Sequence, residues 1–369
     1  MPTSTPTIFF TGFPGFLGVE LLPRVLRRNP DAEAVCLVQD KFLEQAATRV
    51  AELEKADADL VGRIRLVPGD ITTPDLGLGD EYESLASTTT EVFHLAAVYD
   101  LAVAADLAER VNVAGTRHVV QFAQACDDLT RFQYVSTCYV SGRYVGPWRE
   151  SDLEVPGQVF ANHYDRTKHL AEVVVREALD AGMPGTVYRP AVVNGDSRTG
   201  ATQKLDGPYY VAKLLLKQPG STAVMPMVGT PDAFRFNLVP RDFVVDAIAH
   251  LSGVPESEGV TYALANPNPP TITEMIDCFA EATGKRVVKV KLPEGPATTL
   301  LARVPALRDL MEFPAEAIPY FTHPTHYLSD NTQRDLAGTG IEVPHWSDYI
   351  PRLVAFTREH MDMSSAAMV

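Results

Sequence analysis

Short apolar runs and longer stretches of mixed polarity alternate along the first half of the chain. Residues 8–10, 34–38, 64–67, 92–95, 132–135 and 186–188 are rich in apolar side chains, without the every-other-residue alternation of a strand that meets water on one face. Runs of this kind fit strands covered on both faces. Between them, residues 15–28, 41–60, 101–126 and 164–181 have helical length and mixed polarity. The rhythm predicts an α/β fold, a Rossmann-type doubly wound parallel sheet with right-handed crossovers.

After Gly200 the rhythm breaks, and proline- and glycine-rich stretches at 218–231 and 266–270 separate shorter elements. Residues 236–240 followed by 242–251 read as a strand running into a helix that returns to the main sheet. The expected division is therefore interleaved. Residues 1–200, joined by 235–265, form the dinucleotide-type domain, and 201–234 with 266–369 form a smaller C-terminal substrate lobe. Only the tail from Met361 reads as loosely ordered.

Composition narrows the function classes. The chain has 369 residues, 46% hydrophobic and 21% charged, enough apolar material for a sizeable core. A formal net charge of −15 argues against a nucleic-acid partner, which needs a basic face. Cys36, Cys126, Cys138 and Cys278 are far apart and form no CxxC pair, so neither zinc nor a disulfide framework is indicated. His323 and His326 form an HxxH pair, but Pro324 opposes the helix that would aim both at one metal. No metal is expected. The N-terminus lacks the charge-then-apolar pattern of a leader, and no apolar run reaches membrane-spanning length, so the expected compartment is the cytoplasm.

Residues 7–10 lead directly into Gly12-Phe13-Pro14-Gly15-Phe16-Leu17-Gly18, from which helical spacing follows. A glycine-rich turn between a first strand and a first helix lets a pyrophosphate approach bare backbone and the helix N-terminus. This predicts an NAD(P) site. Pro23, inside the expected helix, removes one of its hydrogen bonds. In such folds the end of the second strand selects the cofactor: an acidic residue favours NAD, a basic one NADP. Here the segment is Gln39-Asp40-Lys41, where Lys41 suits a 2′-phosphate and Asp40 a ribose hydroxyl. Asp70 and Ile71 follow the third strand, within reach of an adenine. Ala96 and Ala97 follow the fourth, small enough for the cofactor to approach the backbone.

Tyr164 and Lys168 are four apart on an expected helix and share a face. A phenol holds its proton near pH 10, and a neighbouring ammonium is expected to lower that value. Thr137, after the fifth strand, supplies a further hydroxyl for a carbonyl oxygen. Tyr209 and Lys213 repeat the spacing, but they follow the end of the strand–helix rhythm and read as a lobe helix.

These motifs, in order, resemble the extended short-chain dehydrogenase/reductase family: Thr11-Gly12-x-x-Gly15-Phe16-Leu17-Gly18, Asp70, His94-Leu95-Ala96-Ala97, Asn112-Val113-x-Gly115-Thr116, Ser136-Thr137 and Tyr164-x-x-x-Lys168. The segments 162–172 and 188–200, with Phe236-Asn237-Leu238-Val239-Pro240-x-Asp242-Phe243, are similar to its male-sterility branch, which holds fatty acyl-CoA reductases and thioester reductase domains. The resemblance implies a Thr137, Tyr164 and Lys168 site, with Asn112, Pro190 and Val193 also beside the cofactor. It implies hydride transfer to an acyl thioester or long-chain aldehyde, in the setting of lipid metabolism. Threonine stands where many relatives have serine, and Gln39 where many NADP users have arginine. NADP(H) is favoured, with NAD(H) left open. In relatives the helices at 101–126 and 164–181 form a dimer interface, so a homodimer is an expectation. Competing readings are a hydroxysteroid or secondary-alcohol dehydrogenase, a nucleotide-sugar epimerase or dehydratase, and a non-catalytic dinucleotide sensor.

Overall fold

The computed structural model describes residues 6–228, 230–292 and 318–363. The expected loose tail lies largely outside them, as does part of the expected lobe. In chain order the first half runs β1 (Thr7–Thr11), α1 (Gly18–Arg28), β2 (Glu33–Val38), α2 (Leu43–Ala56), β3 (Ile64–Pro68), α3 (Glu81–Ala86), β4 (Thr89–His94), α4 (Ala105–Ala108), a π-helical stretch Glu109–Ala114, α5 (Gly115–Ala125) and β5 (Arg131–Val135). There follow β6 (Gly146–Trp148), α6 (His163–Asp180), β7 (Gly185–Pro190), β8 (Val192–Asn194), α7 (Tyr209–Lys217), β9 (Thr222–Val228), β10 (Leu238–Pro240), α8 (Arg241–Leu251) and β11 (Thr261–Leu264). The last elements are α9 (Ile272–Thr283), β12 (Arg286–Leu292), α10 (Ile318–Phe321), β13 (Thr325–Tyr327), α11 (Asp330–Leu336) and α12 (Trp346–Glu359).

Among the described residues the main sheet has seven parallel strands in the order β11-β7-β5-β4-β1-β2-β3. The uninterrupted apolar run of β1 explains itself in this sheet. Successive side chains of a strand face opposite sides, so Phe9 meets Phe122 of α5 at 4.4 Å between ring centroids. Phe10 turns to the other side, in one core with Leu21 of α1 and Val244 of α8. Both faces carry helices, and no position of the strand is left to water. The strand order reverses between β1 and β4, which opens a crevice beyond their C-terminal ends.

Several expected elements differ in detail. The helix expected over 101–126 starts at Ala105, because Asp100 Oδ1 accepts the Ala102 amide and holds the preceding residues in a turn. The expected helix at 15–28 starts only at Gly18, and that at 41–60 is closed at Ala56, where Asp57 instead caps a short turn through the Asp59 amide. Residues 236–240 do not return to the main sheet. β10 pairs with β8 in a separate two-stranded ladder, and it is β11 that joins the main sheet beside β7.

The second core gathers α7, β9, α9 and α12 through Tyr209, Met225, Met275, Phe279 and Leu353. Glu150 ties the C-terminal chain to the sheet. Its carboxylate accepts the amides of Ala263 in β11 and of Asn331 and Thr332 in α11.

Candidate active site

The loop between β1 and α1 is built by its glycines. Gly12 has φ +92°, and a Cβ there would lie 2.8 Å from the Ala96 nitrogen, so the turn runs hard against the end of β4. A Cβ on Gly18 would stand 2.5 Å from the Gly12 carbonyl oxygen, so the helix starts directly on the turn. Phe13 is buried, while Gly15, Phe16 and Leu17 are half-exposed. No side chain caps α1; the Val19 and Glu20 amides go to the Gly15 and Leu17 carbonyls, and those of Phe16, Leu17 and Gly18 just ahead of them are the donors of the kind a pyrophosphate takes. The residues present therefore fit a dinucleotide.

Beyond the ends of β2 and β3, Gln39 Nε2 donates to Asp70 Oδ2 at 2.8 Å, and Asp70 Oδ1 accepts the Thr72 amide. Lys41 is exposed, its ammonium 5.0 Å from the Phe42 ring centroid. Ile71 is buried against Gly115, and its carbonyl is bonded by His118. At the end of β4, the Ala96 amide donates to Thr11 Oγ1 at 3.3 Å, and Ala97 follows half-buried. His94 lies between the hydroxyls of Thr11 and Thr116, and burial drives its pKa down to about 3.

Asn112 is turned into the protein. Its Oδ1 accepts the Val98 amide at 2.9 Å and its Nδ2 donates to Thr167 Oγ1 at 3.0 Å, within the π-helical turn. The side chain thus braces the loop after β4 against α6, one turn from Tyr164, and its polar atoms are committed to protein partners rather than to a cofactor.

Thr137 follows β5 and opens a 3-10 turn at Cys138–Ser141, against which α6 packs. Its hydroxyl accepts the Tyr139 amide at 3.3 Å and faces the Pro190 carbonyl oxygen at 3.4 Å. Val193 lies just beyond, half-buried on β8. Tyr164 occupies the first turn of α6, whose N-cap is Asn162 through the Asp165 amide. Lys168 is buried one turn on, and its ammonium donates to Tyr134 Oη at 3.0 Å and to the Val135 carbonyl at 2.9 Å.

The expectation that Lys168 lowers the Tyr164 pKa is corrected here. Burial raises the Tyr164 phenol above its ordinary value, and the Asp165 charge pushes the same way. Burial also lowers Lys168 to about 7, despite support from Glu172. Its partners are on β5, not on Tyr164. The pair is therefore a phenol that keeps its proton, free to donate a hydrogen bond, and a lysine amine held to the sheet that titrates near neutrality.

Beneath the pair, Arg189 and Glu172 form a fully buried ion pair at 2.6 Å, and Ser136 Oγ donates to Glu172 Oε2 at 2.5 Å. Breaking such a pair leaves an uncompensated charge, so it fixes α6 against β5 and β7. Tyr209 of the repeated motif has a different environment. Its hydroxyl accepts the Gly195 amide at 2.9 Å and lies 3.5 Å from the Gly200 carbonyl oxygen, so it holds a loop.

Residues that the sequence did not single out lie beside Tyr164. Tyr99 sets its ring edge-on to Tyr164 with centroids 5.0 Å apart. It keeps 39% of its surface accessible, while desolvation and the Asp206 charge push its hydroxyl far above the ordinary phenol value. Lys204 lies over that ring at 4.1 Å and pairs with Asp206 at 2.6 Å. Tyr99 sits in an irregular loop and Lys204 about a hundred residues later, and no periodicity links them.

The model of the male sterility protein family matches residues 10–248. A linear gramicidin synthase of Brevibacillus parabrevis is 28% identical over 303 residues, 79% of this chain and 6% of that protein. Aldehyde reductase lnbA of Aspergillus flavus is 27% identical over 299 residues, 76% of this chain and 29% of that protein. The chain thus spans less than a third of the length of these curated relatives. Among solved structures, the terminal R domain from the myxalamid PKS-NRPS biosynthetic pathway superimposes with a TM-score of 0.79 at 28% identity, over 99% of this chain and 94% of that one.

Proposed function

The chain belongs to the male sterility protein family, and on that premise we propose that it is an NAD(P)H-dependent reductase of an acyl thioester or long-chain aldehyde. The observation that supports this reading is that the glycine loop and the Thr137 turn both follow C-terminal strand ends of one parallel sheet, with Tyr164 on the helix packed against that turn and Tyr99 edge-on to its ring. The similarity to a terminal R domain and to an aldehyde reductase supports the same reading.

Gly12 to Gly18 and the α1 N-terminus would hold the pyrophosphate, and Lys168 the nicotinamide ribose. When bound, the dinucleotide supplies hydride, and the redox chemistry is its own. Thr137 and Tyr164 donate hydrogen bonds to the substrate carbonyl oxygen. For a thioester they stabilise the oxyanion that forms before the thiol leaves. For an aldehyde, Tyr164 delivers the proton that completes the alcohol. Its raised pKa keeps that proton in place at neutral pH.

NADPH is the favoured donor. Gln39 commits its amide to Asp70, no carboxylate at 39 competes for a ribose, and Lys41 is exposed beside it. The test mixes purified protein with NADPH or NADH and follows nicotinamide absorbance against acyl-CoA, long-chain aldehyde and ketosteroid panels. Oxidation with an acyl-CoA or aldehyde, faster with NADPH, is the expected result. Turnover confined to ketosteroids, or none, contradicts the reading.

A further inference from the structure

Both catalytic elements are reached by one residue of the C-terminal part of the chain. Tyr320 of α10 donates its hydroxyl to Asp165 Oδ1 at 2.7 Å and receives Asn162 Nδ2 at 2.9 Å. These are the residue after Tyr164 and the N-cap of α6. The Tyr320 ring packs on Tyr139 with centroids 4.6 Å apart, and Tyr139 belongs to the turn that Thr137 caps. Arg143 holds the segment in place through the carbonyls of Pro319 and Thr322 at 3.1 and 3.0 Å.

We propose that Tyr320 is a positioning residue of the reductase site, clamping the Thr137 turn to the first turn of α6 so that both hydroxyls meet one carbonyl oxygen. The inference rests on the reductase reading of Thr137 and Tyr164. Its geometry is that of a latch, in which one rigid aromatic side chain bridges two elements packed against each other. Reacting groups displaced by a fraction of an ångström lose much of their advantage.

The latch couples to proton binding. Asp165 is 1% exposed, and burial raises its pKa to about 7, opposed by the Tyr320 hydrogen bond. The groups around it are phenols: Tyr164 on its own helix, Tyr139 in the 3-10 turn, Tyr320 on α10 and Tyr327 on β13. His323, bonded to Tyr327, is held neutral by burial, and Arg143 is engaged by carbonyls. None of the ion pairs among the described residues includes Asp165.

An unfolded aspartate ionises near pH 3.9 and the folded one near 7, so between these values the unfolded chain binds fewer protons and stability falls as pH rises. The Tyr320 donor favours the carboxylate. Removing it moves the upper end of that fall to higher pH, and Asp165→Asn removes the fall itself.

The experiment compares wild type, Tyr320→Phe and Asp165→Asn in three measurements: kcat against pH with an acyl-CoA or aldehyde, NADPH affinity by fluorescence, and the unfolding midpoint against pH. Tyr320→Phe is expected to lower kcat about tenfold, to leave NADPH affinity unchanged, and to shift both pH dependences upward. A Tyr320→Phe protein with wild-type kcat and wild-type pH dependences overturns the latch. If the wild type reduces no thioester or aldehyde, the reductase reading falls and with it the proposed role. The unfolding midpoints then report the Tyr320–Asp165 contact by itself, which an unshifted Tyr320→Phe midpoint curve would contradict.

Discussion

Two helices of this chain carry a tyrosine followed four residues later by a lysine, and the fold treats them differently. In α6, Tyr164 is 8% exposed, in a small cluster with Val98 and Val103 of the loop after β4, with Tyr99 edge-on to its ring. In α7, Tyr209 is 1% exposed, in the core of the lobe, with its hydroxyl committed to the loop at Gly195 and Gly200. Spacing alone puts two side chains on one helix face. What separates these two tyrosines is the phenol oxygen: that of Tyr209 is taken by the Gly195 amide, whereas the Tyr164 ring meets Tyr99.

The largest effect that sharpens the contrast concerns rate. Tyr164→Phe is expected to cut turnover about a thousandfold, within the span of a lost general acid, while NADPH affinity stays near wild type. Tyr209→Phe is expected to keep turnover. Thr137→Val is expected to cost about a hundredfold, the loss typical of one oxyanion donor, and Thr137→Ser to restore most of it. Steady-state kinetics on the four proteins check both statements.

Smaller effects appear in stability. Lys168 is buried with its pKa lowered to about 7, whereas the unfolded lysine keeps its proton to about pH 10.4. Between these values the unfolded chain binds more protons, so this residue makes stability rise with pH. Lys168→Met is expected to lose that rise, read from unfolding midpoints between pH 7 and 9. Tyr209→Phe is expected to cost about 1 kcal/mol in urea, the worth of an ordinary hydrogen bond.

The strands of the nucleotide half were legible because the physics there is local. Residues 8–10 of β1 are apolar since helices cover both faces, and Gly15 and Gly18 answer to contacts with Gly12 a few residues back, though Gly12 itself answers to the end of β4. The helix carrying Tyr164 and Lys168 was legible for the same reason. The environment of those side chains was not. Tyr134 and Val135, which take the Lys168 ammonium, come from a strand some thirty residues earlier, and burial reversed the expected direction of the Tyr164 shift. The returning strand was misplaced because residues 236–240 and 261–264 are both short and apolar; only the pairing with β8 or β7 tells them apart. Tyr320 meets Asp165 across 155 residues of chain, a contact no motif announces.

Single-turnover hydride transfer tests the role of Tyr164 most directly. Wild type, Tyr164→Phe and Tyr209→Phe, each loaded with NADPH, would be mixed with an acyl-CoA and nicotinamide absorbance followed through one turnover. Rapid loss of absorbance is expected in wild type and Tyr209→Phe, with a severe slowing in Tyr164→Phe alone. Equal rates in wild type and Tyr164→Phe, or slowing in Tyr209→Phe instead, would contradict that role.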